Sequence, residues 1–176
     1  MDYQVEIEGG ARFVAAPSED SVLRAALRAG IAFPHECSVG GCGACRYELI
    51  EGEVEDLWPD APGLSERDRR RGKRLACQTR LLGAAKLRVR CDDAYLPAVP
   101  PTRITCVLSD RRMLTHDMAA LTFESSQPVS FLPGQYALLE LPAVRGLRAY
   151  SMSNVADGSR TLQFIVRRTR GGAGSG

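Results

Sequence analysis

Four cysteines in this chain have a spacing that can do chemistry. In Cys37-Ser38-Val39-Gly40-Gly41-Cys42-Gly43-Ala44-Cys45, four residues separate the first two thiols and two separate the second pair, and 31 residues separate Cys45 from Cys77. That is the ligand spacing of a plant-type [2Fe–2S] cluster held by four thiolates. The glycines between the ligands suit such a loop: without Cβ atoms they let the backbone wrap closely round an inorganic core and reach positive φ. The bland alternatives are a zinc site, a disulfide pair or unrelated buried thiols. Zinc sites pair their cysteines as two C-x2-C knuckles, and this sequence has one. Disulfides need an oxidising compartment.

The elements that must position this loop can be read around it. Tyr3, Val5 and Ile7 alternate with polar residues, Gly9-Gly10 interrupts, and Arg12-Phe13-Val14-Ala15 follows, the pattern of a hairpin. Ser18 is placed to cap a helix over residues 19–29, with an acidic first turn, an apolar face of Val22, Leu23, Ala26 and Leu27, and Gly30 as its stop. Tyr47, Leu49 and Val54 continue a strand pattern broken at Gly52, residues 75–78 deliver Cys77, and residues 86–90 close with a last strand. His35 beside the loop reads as a loop residue, since four thiolates already complete a cluster. Cys91 and Cys106, in strand-like segments, read as small buried apolar residues.

Residues 65–74 (Ser-Glu-Arg-Asp-Arg-Arg-Arg-Gly-Lys-Arg) read as a short capped helix followed by a cationic run. A solvated face is the default reading of such a run. The sharper one is a docking patch for an acidic redox partner.

The 176 residues suffice for one large domain or two small ones, and the composition, 44% hydrophobic and 25% charged, is that of a globular protein. A formal net charge of +2 argues against general nucleic-acid binding. No apolar run approaches the roughly 20 residues a membrane span needs. The first residues carry neither a basic nor an apolar leader pattern, so the expected compartment is the cytoplasm, with reduced thiols and no membrane partner.

Leu96-Pro97-Ala98-Val99-Pro100-Pro101 is a short, semi-rigid boundary. It divides the chain into residues 1–95, a linker at 96–101, and residues 102–176. Beyond it, residues 103–108, 118–124, 135–141, 148–153 and 161–168 read as strands, separated by turn formers at Ser109-Asp110, Gln127-Pro128, Pro133-Gly134, Pro142 and Asp157-Gly158. Regularly spaced strands with little helix suggest a small antiparallel barrel. The expected fold class is α+β.

Two resemblances extend this reading. Residues 3–91 resemble a plant-type ferredoxin domain of β-grasp fold. The segment Phe33-Pro34-His35-Glu36-Cys37 through Cys45, with Leu57-Trp58-Pro59-Asp60-Ala61-Pro62-Gly63-Leu64 after it, resembles the N-terminal part of the NADH-dependent reductase components of bacterial multicomponent aromatic monooxygenases, the toluene 4-monooxygenase type especially. Arg148-Ala149-Tyr150-Ser151, preceded by Phe131-Leu132-Pro133-Gly134-Gln135-Tyr136, is similar to the FAD-binding domain of the ferredoxin–NADP reductase superfamily. The resemblance implies that Arg148 pairs with the flavin pyrophosphate, Tyr150 lies against the isoalloxazine and Ser151 bonds near N5. It also implies that Val166 and Arg167 line the ribityl chain, and that Gly172 and Ser175 form the Gly-x-x-Ser opening a pyrophosphate-binding helix. A Gly/Ser tail is the plain alternative for that last stretch.

Such proteins continue beyond this point with a helix, a closing strand and a nicotinamide-binding domain. The sequence stopping at Gly176 is therefore expected to be a fragment whose incomplete antiparallel barrel has an exposed edge. The function these resemblances imply is electron transfer from reduced nicotinamide through FAD to a [2Fe–2S] cluster, and on to an oxygenase component or its ferredoxin. No general acid or nucleophile is nominated. The rival is a non-enzymatic [2Fe–2S] electron carrier with an inert second domain.

Overall fold

A computed structural model describes residues 2–16, 21–142 and 144–171. The chain divides into two compact units, Met1–Pro101 and Thr102–Gly176.

In the first unit the Gly-Gly pair does turn a hairpin. β1 (Tyr3–Ile7) pairs antiparallel with β2 (Arg12–Ala15), with Val5 opposite Phe13. Gly9 and Gly10 both have φ above +100°, a conformation that a side chain would strain. β3 (Arg46–Glu51), β5 (Lys73–Leu75) and β7 (Ala85–Arg88) complete a five-stranded sheet of order β2-β1-β7-β3-β5. The β1–β7 pair is parallel and the others antiparallel. β4 (Val54–Asp56) leaves this sheet at Gly52 and pairs instead with β6 (Thr79–Leu81). At Gly52 a Cβ would stand 2.4 Å from the Ala84 carbonyl oxygen, so this departure requires glycine.

The helix α1 (Val22–Arg28) packs across the sheet and buries Val22, Leu23, Ala25, Ala26 and Leu27. Its cap is Ser21, whose Oγ accepts from the Arg24 N–H at 3.3 Å. Ser21 has extended backbone, so the helix begins at Val22 and has no acidic first turn; the expected cap Ser18 lies outside the described residues. Phe33 and Tyr47 meet edge-to-face at a 6.5 Å centroid distance in the centre of this core. The core includes Cys45 and Cys77.

The second unit is an antiparallel arrangement with a thinner interior. β8 (Cys106–Met113), β9 (Met118–Ser125) and β12 (Thr161–Arg167) form a sheet of order β12-β9-β8. β10 (Tyr136–Leu139) and β11 (Arg148–Ser151) form a ribbon, joined to β12 through a bridge from Met152 to Phe164. Ser109-Asp110, expected as a turn, instead lies inside β8 at a break in register between Leu108 and Asp110. The Ser109 hydroxyl donates to the Thr122 carbonyl across the strand pair at 3.1 Å, so the polar residues mark a bulge, not a reversal. Cys106 opens β8 as a strand residue, whereas Cys91 lies past the end of β7 in irregular chain. No helix among the described residues is long and apolar enough to cross a membrane.

Candidate cluster and flavin sites

The cysteine loop joins α1 to β3 and reaches the left-handed region at Ser38, Gly40 and Gly43, with φ of 54°, 89° and 78°. These reversals turn backbone N–H groups onto sulfur. Gly41 N–H donates to Cys37 Sγ at 3.3 Å and Ala44 N–H to Cys42 Sγ at 3.4 Å. Such donors stabilise thiolates. Residues 61–64 hold the loop from outside. Gly63 N–H bonds the Gly40 carbonyl at 2.9 Å, and a Cβ on Gly43 would lie 2.4 Å from the Gly63 oxygen. One on Gly40 would press on Gln78, Trp58 and Ala61 at 3.0–3.3 Å. Arg69 braces the clamp, one guanidinium nitrogen donating to the carbonyls of Ala61 at 3.1 Å and Leu64 at 3.2 Å.

Cys77 arrives from the far side, on a 3-10 turn (Ala76–Gln78) after β5, tied by the Ala76 N–H to the Cys45 carbonyl at 3.0 Å. The thiols fall into two pairs. Cys37 interacts with Cys42, and Cys45 shares a hydrogen bond with Cys77. Burial opposes ionisation of Cys37, but bonds from the Val39 backbone and from Cys42 outweigh it and lower its pKa. The Cys77 thiol, donating to Cys45, brings Cys45 down to about 7, while the same bond and burial push Cys77 up.

Among the described residues, no three His, Cys, Asp or Glu converge on a single ion position. A Cys37–Cys42 pair and a Cys45–Cys77 pair on a glycine cradle suit a binuclear group, in which each iron takes two protein thiolates. The four-thiol donor set, the N–H groups on sulfur and a cradle that a Cβ would fill all fit a [2Fe–2S] cluster. His35 stays outside the set: its Nδ1 contacts the Phe33 oxygen at 2.8 Å and its ring lies on Tyr95.

The flavin candidates are arranged less uniformly. The Pro-Gly-Gln-Tyr stretch makes a turn in which Gly134 has φ of 87° and the Gln135 side-chain oxygen accepts from the Leu132 N–H at 2.8 Å. This turn launches β10, which registers Leu139 against Arg148 and Ala137 against Tyr150. Arg148 and Tyr150 are half-buried and share one face of β11, while Ser151 is exposed on the other. Tyr150 packs on the Leu162–Phe164–Val166 cluster. The Arg148 guanidinium bonds only carbonyls of its own loop, Leu147 at 3.1 Å and Arg145 at 3.4 Å, with no carboxylate partner among the described residues. A half-buried guanidinium without a counter-charge suits a pyrophosphate.

β12 splits its two candidates. Val166 points into the core, so only its backbone is available to a ligand, while Arg167 points outward and pairs with Asp117 at 2.7 Å. Gly172 and Ser175 lie outside the described residues. Sequence reasoning missed the clamp residues Gly63 and Arg69 and the Asp117 partner of Arg167, none of which has a spacing signature, since each acts through a contact distant in sequence.

Comparison with known proteins matches two stretches of the chain. Residues 5–82 match the model of the 2Fe-2S iron-sulfur cluster binding domain, and residues 105–176 that of the oxidoreductase FAD-binding domain. The chain is 44% identical over 168 residues to the ferredoxin–NAD(P)+ reductase CarAd of Metapseudomonas resinovorans, covering 94% of this chain and 51% of that protein. It is 42% identical to the ferredoxin–NAD+ reductase component of the alkene monooxygenase system of Xanthobacter autotrophicus, over 90% of this chain and 48% of that one. Among solved structures, the ferredoxin reductase in carbazole 1,9a-dioxygenase superposes with a TM-score of 0.93 at 41% identity, covering 99% of this chain and 55% of that chain. The chain thus spans about half the length of the curated relatives it matches.

Proposed function

From a chain that joins a 2Fe-2S ferredoxin domain to an oxidoreductase FAD-binding domain, we propose an electron-transfer function. Electrons from a reduced nicotinamide, taken up by the whole protein, leave from the cluster domain to an oxygenase component or to that component's ferredoxin. The observation that carries the reading is the joining of two units in one chain: four paired thiols on a clamped glycine loop, and an uncompensated Arg148 beside Tyr150. What the two bound groups supply together is conversion of a two-electron donor into one-electron flow.

The protein's part is positioning and tuning. Cys37, Cys42, Cys45 and Cys77 hold the cluster, and the N–H groups of Gly41 and Ala44 stabilise the sulfurs of Cys37 and Cys42. Arg148 anchors the flavin pyrophosphate, Tyr150 stands along the ring system, and Ser151, Val166 and Arg167 complete the strand ends, with Gly172 and Ser175 at the pyrophosphate. The relatives that support this reading serve, by their names, alkene monooxygenase, xylene/toluene monooxygenase and anthranilate dioxygenase systems. The oxygenase proposed here is accordingly one acting on aromatic or alkene substrates, the toluene 4-monooxygenase type among them.

The test is photoreduction. The chain is reconstituted anaerobically with iron, sulfide and FAD, then illuminated with EDTA as sacrificial donor. The visible absorbance of the cluster is expected to bleach in the FAD-loaded chain and to stay unchanged in the FAD-free one. Flavin reduction with a cluster that stays oxidised would overturn the reading in favour of two uncoupled domains.

A further inference from the structure

The first unit has a charge asymmetry centred on one short element beside the cluster loop. Residues 60–74 carry six cations against three carboxylates, while the rest of the first hundred residues carries eight against thirteen. The helix α2 (Glu66–Arg70), capped by Ser65, presents this charge. Its few carboxylates are already engaged: Asp68 with both Arg46 and Lys73 at 3.2 Å, Glu66 with Arg70 at 3.3 Å. Arg67 and Arg71 are exposed and have no carboxylate partner among the described residues. They are the uncompensated charge of the surface.

Three further observations tie this surface to electron exit. The Arg69 bonds to the Ala61 and Leu64 carbonyls attach α2 to the segment that clamps the cysteine loop. Gly41 and Cys42 are exposed while Cys45 and Cys77 are buried, so the loop comes nearest to solvent along its Gly41–Cys42 edge. Trp58, whose ring abuts Gly40, is 46% exposed although it is large and apolar. Tryptophan and arginine are the residue types that dominate protein–protein binding energy.

We infer that Trp58 together with Arg67 and Arg71 forms the docking surface for the electron acceptor, and that the acceptor is a protein presenting an acidic face. This rests on the reading that electrons leave from the cluster. Uncompensated arginines steer an acidic partner by long-range attraction, and Trp58 is the apolar anchor that seats it over the loop.

The test uses the reconstituted full chain, reduced with dithionite and desalted, mixed in a stopped-flow instrument with acidic cytochrome b5, basic cytochrome c or the uncharged acceptor benzoquinone. In each haem reaction one electron leaves the reduced cluster and converts ferric haem to ferrous. At low salt, Arg67→Glu with Arg71→Glu is expected to slow cytochrome b5 reduction by about tenfold or more. The same pair should speed cytochrome c and leave benzoquinone unchanged. The Arg67→Gln, Arg71→Gln pair should give a smaller effect of the same sign. Both effects should vanish near 1 M salt, where the Debye length is about 3 Å. Unaltered cytochrome b5 rates in both variants, with normal benzoquinone rates, would overturn the docking surface alone and leave a merely solvated helix. Failure of the wild-type chain to reduce any acceptor would instead overturn electron export, and this surface with it.

Discussion

The two units hold their candidate sites in opposite ways. In the first, Cys45 and Cys77 belong to the core itself, alongside Phe33, Tyr47 and Leu23. In the second, the buried apolar residues among those described are Leu162, Phe164 and Val166, and Arg148 and Tyr150 stand at the margin of that cluster. The difference follows from the groups to be held. A cluster is bound through covalent bonds whose geometry must be fixed to a fraction of an ångström, so its ligands gain from a dense interior that cannot shift. A dinucleotide is bound across a surface by hydrogen bonds and charge, so its ligands belong on strand faces open to it. Folding and ligation are therefore expected to be one event in the first unit and two separable events in the second.

The largest effect that bears on this contrast is at Cys77. Cys77→Ser is expected to abolish cluster assembly, read as loss of bound iron and of the visible absorbance, while FAD titration of the same protein is unchanged. Loss of both cofactors together would break the contrast. Core truncation comes next. Phe33→Ala and Phe164→Ala should each lower the stability of their own unit by about 3–5 kcal/mol. In urea unfolding, Phe33→Ala should bring forward loss of the cluster absorbance, and Phe164→Ala should bring forward only release of the flavin.

Smaller again is Arg148→Ala. A charge-assisted bond contributes about 1.5–3 kcal/mol, so the FAD dissociation constant should rise by roughly 10- to 150-fold, with iron content unaffected. An unchanged constant would move the pyrophosphate anchor elsewhere. The smallest effect is Ser65→Ala in α2. It removes the cap on the Asp68 N–H, 3.1 Å long, and the hydroxyl bond that holds the Asp68 carboxyl below its ordinary pKa. It should lower first-unit stability by about 1 kcal/mol, seen as a shift in the urea midpoint of the cluster absorbance, without touching cofactor content.

Much of this architecture was legible because its signals are local. Alternation at Tyr3, Val5 and Ile7 around Gly9-Gly10 predicts the hairpin that β1 and β2 make. The serine at Ser65 with an acidic residue three positions on predicts the α2 cap. Cysteine spacing predicts the cluster class because the ligand loop is itself a local structure. Local signals also misled. Ser18 ahead of two acidic residues looks like a better helix start than Ser21, yet the Ser21 hydroxyl is the one that reaches the first turn. Ser109-Asp110 has turn chemistry, but pairing with β9 on both sides carries β8 straight through it as a bulge. Features made by distant contacts left no trace in spacing: Gly63 against Gly43, Arg69 on the 61–64 carbonyls, and Asp117 on Arg167.

This one chain is expected to hold both an iron–sulfur cluster and a flavin. The direct measurement is quantification of iron, acid-labile sulfide and FAD in the anaerobically reconstituted, desalted protein, with its visible spectrum. About two irons, two sulfides and one FAD per chain are expected, with flavin bands on a [2Fe–2S] spectrum. Iron and sulfide without retained flavin would contradict it and leave a simple electron carrier, and a single zinc in place of iron would contradict the cluster itself.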